Sequence, residues 1–315
     1  MNADRPMLGI ALMLGFCVTA PLGDSTAKLL GQPEFAQPVF QVLLLRFVMQ
    51  GLFLVPLAWA TGRAMRMPPK VAGFVFLRTV LHILGVGLMF TSLQFMPLAE
   101  TVAIAFVMPF ILLLMGWALM GEQVGWRRLA ACAVGFVGTL FVVQPSFATV
   151  GWPALLPIGV AFAFAFFMLV TRRIAKETDP IALQAVSGLI ASAILFPALL
   201  WGQRAGIPAL SVTFDISDTW WLLAAIGILG TCAHLLMTWS LRFAPSATLA
   251  PMQYLEIPVA TAFGWLIFRD FPDRLAAIGI LVTMASGLYV ILREHRMARQ
   301  SDAKVIAGQP HPPEI

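Results

Sequence analysis

Apolar residues run along this chain in ten long stretches, at about residues 7–29, 39–61, 72–94, 98–120, 126–143, 151–171, 181–202, 219–242, 246–268 and 274–292. A helix crosses a bilayer core with about 20 apolar residues, so each stretch predicts a membrane-spanning α-helix. Most connections between the stretches are only a few residues long, which predicts antiparallel neighbours and leaves no room for a soluble domain. The longest link, 203–218, carries Pro208, Asp215 and Asp218 and reads as a solvated loop. Residues 294–315 are polar, end in Pro310, Pro312 and Pro313, and read as a disordered tail.

The pattern occurs twice. Phe95-Met96-Pro97, an apolar run, Gly116-Trp117 and Gly121-Glu122 return as Phe243-Ala244-Pro245, a second run, Gly264-Trp265 and Arg269-Asp270, about 148 positions later. After each acid, Arg128-Leu129 or Arg274-Leu275 opens another apolar run with a glycine near its end, Gly138 or Gly287. A repeat of this size divides the chain into equivalent halves, 7–143 and 151–293. Each half holds an odd number of crossings, so the two must lie in opposite senses across the membrane.

Charge sets the orientation. With a cytoplasmic N-terminus, fourteen basic residues fall on that side: Arg5, Arg63, Arg66, Lys70, Arg127, Arg128, Arg172, Arg173, Lys176, Arg242, Arg293, Arg296, Arg299 and Lys304. Only Arg204, Arg269 and Arg274 fall on the other, while Lys28, Arg46 and Arg78 lie within the spans. This asymmetry predicts both termini in the cytoplasm, with Glu122 and Asp270 at opposite faces.

Composition agrees with lipid as the solvent: 60% of the 315 residues are hydrophobic and 11% charged, against roughly 45–50% and 25% in soluble domains. A net charge of +5 could indicate nucleic acid, but the basic residues sit in the connections and form no recognition motif. Cys17, Cys132 and Cys232 lie in apolar segments without a C-x-x-C pair. They read as small core residues, and neither a metal nor a cofactor is expected. The run after Arg5 is too long for a signal-peptide core and is expected to remain as the first helix.

Ionisable residues at bilayer depth mark pathways or internal pairs. Arg78, His82, Gly85 and Ser92 share one face of helix 3, His234 and Thr238 lie a turn apart on helix 8, and Gln253, Glu256, Ala260 and Gly264 share a face of helix 9. One reading places Glu256, His82 and His234 around a mid-membrane cavity, with Gln253 and Tyr254 bonding substrate and Arg78 nearer the cytoplasm. The carboxylate or a histidine could then carry a coupling proton. The alternative is a set of satisfied contacts between helices. Nearer the outer side, Asp24 and Lys28 are a turn apart and Arg46 and Gln50 share a face. Asp24 and Arg46 could serve as gate or substrate ligands, or simply pair with each other, with Lys28 snorkelling and Glu100 capping its helix. Pro258 is read as an interior kink that frees the carbonyl of Tyr254.

Pro97-Leu98-Ala99, Pro109, Gly121-Glu122, Trp126-Arg127-Arg128, Gly135 and Gly138, with Pro245, Pro258, Gly264 and Gly287 in matching places, resemble the drug/metabolite transporter superfamily, and within it two tandem EamA units. The resemblance spans about residues 8–293, with Arg269-Asp270 replacing the usual Gly-Glu of the second unit. It implies an all-α integral membrane protein of ten transmembrane helices, as two inverted five-helix repeats around a central cavity. Members carry amino acids, nucleobases, vitamins and other metabolites in either direction.

The expectation is therefore a secondary transporter for a small organic metabolite, working by alternating access with proton coupling or exchange, export being favoured by the resemblance. Its setting is a bacterial inner membrane, as a monomer or homodimer, without nucleic acid. A passive channel and a membrane-embedded enzyme are the alternatives. No H-E-x-x-H, G-x-S-x-G or phosphate-loop motif is present.

Overall fold

The computed structural model describes residues 5–120, 125–213, 218–245 and 249–306. Gly121-Glu122, Asp215 and the residues beyond Ile306 lie outside them. Among the described residues the fold is helical without strands: α1 (Pro6–Leu30), α2 (Val39–Ala60), α3 (Pro69–Ser92), α4 (Leu98–Ala105), α5 (Met108–Met120), α6 (Trp126–Val150), α7 (Leu156–Ile174), α8 (Pro180–Arg204), α9 (Trp220–Phe243), α10 (Glu256–Phe263) and α11 (Arg274–Ile306). A 3-10 segment, Ala250–Leu255, leads into α10, and a π-turn, Gly264–Phe268, follows it. Among the described residues, eight segments are long and apolar enough to cross a membrane, while the apolar part of α11, Arg274–Tyr289, is shorter. The last helix continues to Ile306, where the sequence pattern suggests a tail from residue 294.

Two of the expected continuous helices are interrupted. The fourth breaks at Phe106–Val107 between α4 and α5, and the ninth changes from 3-10 to α at Glu256. Pro109 and Pro258 thus fall in the first turns of α5 and α10 rather than in helix interiors. The missing N–H of a first-turn proline removes no helical bond, so here proline begins a half-helix instead of kinking one. Asp179 illustrates a regular start: its carboxylate accepts from the backbone N–H groups of Ile181 and Ala182, with Pro180 following.

The broadest helix contacts join the two halves: α1 with α9, α3 with α7, α2 with α8, and α6 with α11, while α4 meets α10. Exchanging the halves turns the first pair into the second and returns the others to themselves. Two of the self-matching pairs cross at glycines. A Cβ on Gly188 would lie 2.9 Å from the Gly51 nitrogen, and one on Gly279 2.4 Å from the Gly138 carbonyl. Only glycine permits backbones this close.

Buried apolar residues fill the space between helices, among them Leu43, Phe47, Leu98 and Ile257 in one cluster and Met13, Phe167 and Met237 in another. Leu52, Phe76, Phe196 and Leu281 face outward and exposed, as a lipid-contacting belt requires. Arg5, Arg63, Arg172 and Arg242 gather at one end of the bundle, the basic end: the Arg5 N–H bonds Phe243 O at 2.9 Å, Arg172 Nη1 bonds Leu241 O at 2.6 Å, Arg242 Nη1 bonds Thr178 O at 3.2 Å, and Arg63 pairs with Asp179. At the far end Lys28 Nζ meets Asp270 Oδ2 at 2.6 Å and lies 4.7 Å from the Phe268 ring centre.

Candidate functional site

Both helix breaks border one cavity between the halves. Its unfilled space, mouth included, is about 790 Å³, and Asp24, Arg46, His234 and Glu256 line it together with Phe16, Phe90, Phe106, Phe164, Met108 and Met237. An apolar wall carrying a few polar groups is the lining that small organic molecules favour. Phe106 and Met108 flank the α4–α5 break, and Glu256 stands at the start of α10. Arg46 and Glu256 are nearly fully buried, yet Arg46 Nη1 and Glu256 Oε1 have no hydrogen-bond partner. Asp24 interacts electrostatically with Arg46 and with Glu256, but no salt bridge joins Asp24 to Arg46.

Toward the basic end, the cavity floor is a polar knot. His234, stacked on Phe164 with ring centres 6.1 Å apart, shares a 3.1 Å hydrogen bond between its Nε2 and that of His82. Below them Arg78 is fully buried, its guanidinium 4.4 Å from the Phe167 ring centre. Arg78 Nε donates to Thr171 Oγ1 at 2.8 Å, Nη1 to Ser187 Oγ at 2.9 Å, and Nη2 to Thr238 Oγ1 at 3.4 Å. Gln184 Nε2 donates to His234 O and Thr238 Oγ1, each at 2.9 Å, and Gln50 Nε2 donates to Gln184 O at 2.7 Å. The knot ties α2, α3, α7, α8 and α9 and gives each Arg78 nitrogen a partner, which is what a buried guanidinium requires, while Nδ1 of His82, Nδ1 of His234 and Gln50 Oε1 have none.

The candidates thus separate into three groups. Asp24, Arg46, His234 and Glu256 border the cavity, whereas His82 and Arg78 lie behind it. Gln253 turns away, with Nε2 3.3 Å from Met168 Sδ. Tyr254 packs on Phe106, ring centres 5.4 Å apart, and fills the room left by Gly287, whose Cβ would lie 2.4 Å from that of Tyr254. Lys28 takes Asp270 as partner, and the Glu100 carboxylate accepts from Ser146 Oγ at 2.5 Å. Ser187, Gln184 and Thr171 are polar groups that the sequence reading passes over. Gln184 and Ser187 lie one turn apart within an apolar span, and that spacing was the available signal.

An all-helical membrane bundle with broken helices meeting at a central cavity is an architecture common to membrane transport proteins. The sequence matches the model of the EamA-like transporter family twice, at residues 7–144 and 151–293. The chain belongs to that family. It is 28% identical over 225 residues to a riboflavin transporter of Rhizobium johnstonii, covering 71% of each chain. It is 22% identical to an S-adenosylmethionine uptake transporter of Rickettsia bellii, covering 92% of this chain and 95% of that one. A solved crystal structure matches the fold with a TM-score of 0.66 at 17% identity, covering 93% of this chain and 98% of the other. Membership of the family and the names of these relatives point to a transporter of small molecules rather than an enzyme.

Proposed function

We propose that the protein is a secondary transporter that moves a small organic metabolite by rocking its two halves around the Asp24–Arg46–His234–Glu256 cavity. The observation that carries this reading is the position of that cavity at the junction of two interrupted helices, one from each half. Half-helix ends at mid-membrane leave backbone and side-chain groups free to hold a ligand that continuous helices would exclude. Bonds between the halves supply the two closures. Lys28–Asp270 joins α1 to the segment after α10 at the far end, while Arg63–Asp179 and the Arg78 knot join the halves toward the basic end. The clustering of arginines at one end supports a cytoplasmic position for it in a bacterial inner membrane.

No phosphate-loop motif is present, so the reading takes a gradient or exchange as the energy source. Glu256 and the His82–His234 pair are the groups assigned to proton coupling. Direction follows the gradient. The uptake named for the Rickettsia relative weighs against the export that family resemblance favours.

Metabolites inside and outside cells with and without the protein, followed by counterflow in proteoliposomes, test the reading. Saturable counterflow is expected. A flux that rises without limit with concentration means a channel, and chemical conversion of the solute means an enzyme. Proton coupling is tested separately by Glu256→Gln, which is expected to abolish the pH dependence of uptake. An unchanged rate and pH profile would remove the carboxylate from the mechanism.

A further inference from the structure

The charged groups of the cavity are not paired with one another, and their arrangement defines a ligand. Arg46 is held by a notch in α9: a Cβ on Gly230 would lie 2.3 Å from Arg46 Nε and 2.9 Å from Cζ. Its guanidinium centre is 5.1 Å from the Phe47 ring, and Nη1 is left without a hydrogen-bond partner. Glu256, presented by the first residue of α10, leaves Oε1 equally unpartnered, and Asp24 lies within electrostatic reach of both groups. The lysine and arginine in the described salt bridges, Lys28 and Arg63, pair with Asp270 and Asp179, away from the cavity. A buried donor and a buried acceptor without partners cost free energy until something satisfies them. The rest of the cavity wall is largely apolar, with Phe16, Phe90, Phe106 and Phe164 contributing rings.

We infer that the substrate is a zwitterion: a small molecule whose anionic group binds Arg46 and whose cationic group binds Glu256, assisted by Asp24, with an apolar or flat body between them. An anion alone would leave both carboxylates without a cation beside them, and a cation alone would leave Arg46 Nη1 without an acceptor, which disfavours purely anionic and purely cationic molecules. Planar guanidinium suits a carboxylate held in two-point fashion. Ammonium or sulfonium character would suit the carboxylate side.

This inference rests on the transport reading above, and the experiment separates the two. Proteoliposomes preloaded with an unlabelled bacterial metabolite extract are mixed with an isotopically labelled one, and exchanged compounds are identified by mass spectrometry. The expected result is exchange of compounds carrying both an anionic and a cationic group. Exchange confined to compounds of one sign, or to neutral ones, would overturn the zwitterion while leaving transport intact. Exchange of nothing would overturn transport itself and the inference with it. Glu256→Gln is expected to reduce zwitterion exchange at least tenfold and shift the profile toward compounds carrying only an anion. Arg46→Met is expected to abolish exchange, with Arg46→Lys retaining a part. A Glu256→Gln variant that unfolds at the wild-type temperature and exchanges zwitterions at the wild-type rate refutes the assignment of Glu256.

Discussion

Replacing Gly230 by alanine puts one methyl group into the notch that seats Arg46. The added Cβ would stand 2.3 Å from Arg46 Nε, so the guanidinium must withdraw by about 1 Å to reach van der Waals distance. A displacement of that size carries a donor out of hydrogen-bond range, and a hydrogen bond to a charged group contributes about 1.5–3 kcal/mol. Half-saturation for the transported solute is therefore expected to rise about ten- to hundredfold. Stability should change little, near the lower end of the roughly 1–3 kcal/mol seen for overpacking, because the clash falls on the flexible end of a side chain. Gly279→Ala makes the contrast. Its Cβ would meet the Gly138 carbonyl at 2.4 Å, a backbone contact that forces α6 and α11 apart. That variant should lose stability at the upper end of the same range and keep wild-type half-saturation in its folded fraction. Concentration-dependent counterflow and thermal unfolding in one lipid preparation measure both quantities. If Gly230→Ala binds as the wild type does, or if Gly279→Ala is the variant that shifts half-saturation, the placement of Arg46 as a ligand is wrong.

Other perturbations test the supporting structure. Arg78→Met removes three bonds, yet the Thr171 and Thr238 hydroxyls also donate to Phe167 O and His234 O at 2.7 and 2.6 Å. The loss should therefore be roughly 1–3 kcal/mol in unfolding measurements, and Arg78→Ala should cost more through the void it leaves. Lys28→Met and Asp270→Asn should each change stability by no more than about 1 kcal/mol, since the pair is partly exposed. Labelling of engineered cysteines at the far end should nevertheless rise in both, with the double variant matching the singles. Arg269 holds a left-handed conformation with φ 60°, where the first repeat has Gly121 in the matching sequence position. Arg269→Gly should be neutral or stabilise by up to about 1 kcal/mol in thermal unfolding, relief of the strained backbone exceeding the entropy that glycine adds to the unfolded chain.

Apolar length and the repeat of Pro97, Gly116 and Glu122 as Pro245, Gly264 and Asp270 made the helices and their doubling legible, because lipid imposes both on a sequence directly. The breaks were hidden. Pro109 and Pro258 look like interior prolines until the chain before them is seen to leave the α-helix, and only the surrounding helices decide that. Lys28 was misjudged for another reason: Asp24 is a turn away, but the partner it takes is 242 positions distant, and local spacing carries no information about such a pair. Glu256, Asp24, Arg46 and His234 were identifiable as ionisable groups at bilayer depth. Separating them from Arg78 and His82 required the hydroxyls and amides of α7 and α8, which are ordinary residues one at a time.

The glycine crossings place a mechanical limit on any motion of this bundle. Gly51 against Gly188 and Gly138 against Gly279 are two points of backbone contact, and two points define a line. Turning one half against the other about that line keeps both crossings seated, whereas sliding the halves past each other would drive a carbonyl into a neighbouring backbone. The pair of bearings thus leaves an axle as the easy degree of freedom. In the rocking motion proposed above, the other broad contacts between the halves, α1 with α9 and α3 with α7, are the ones that would have to open.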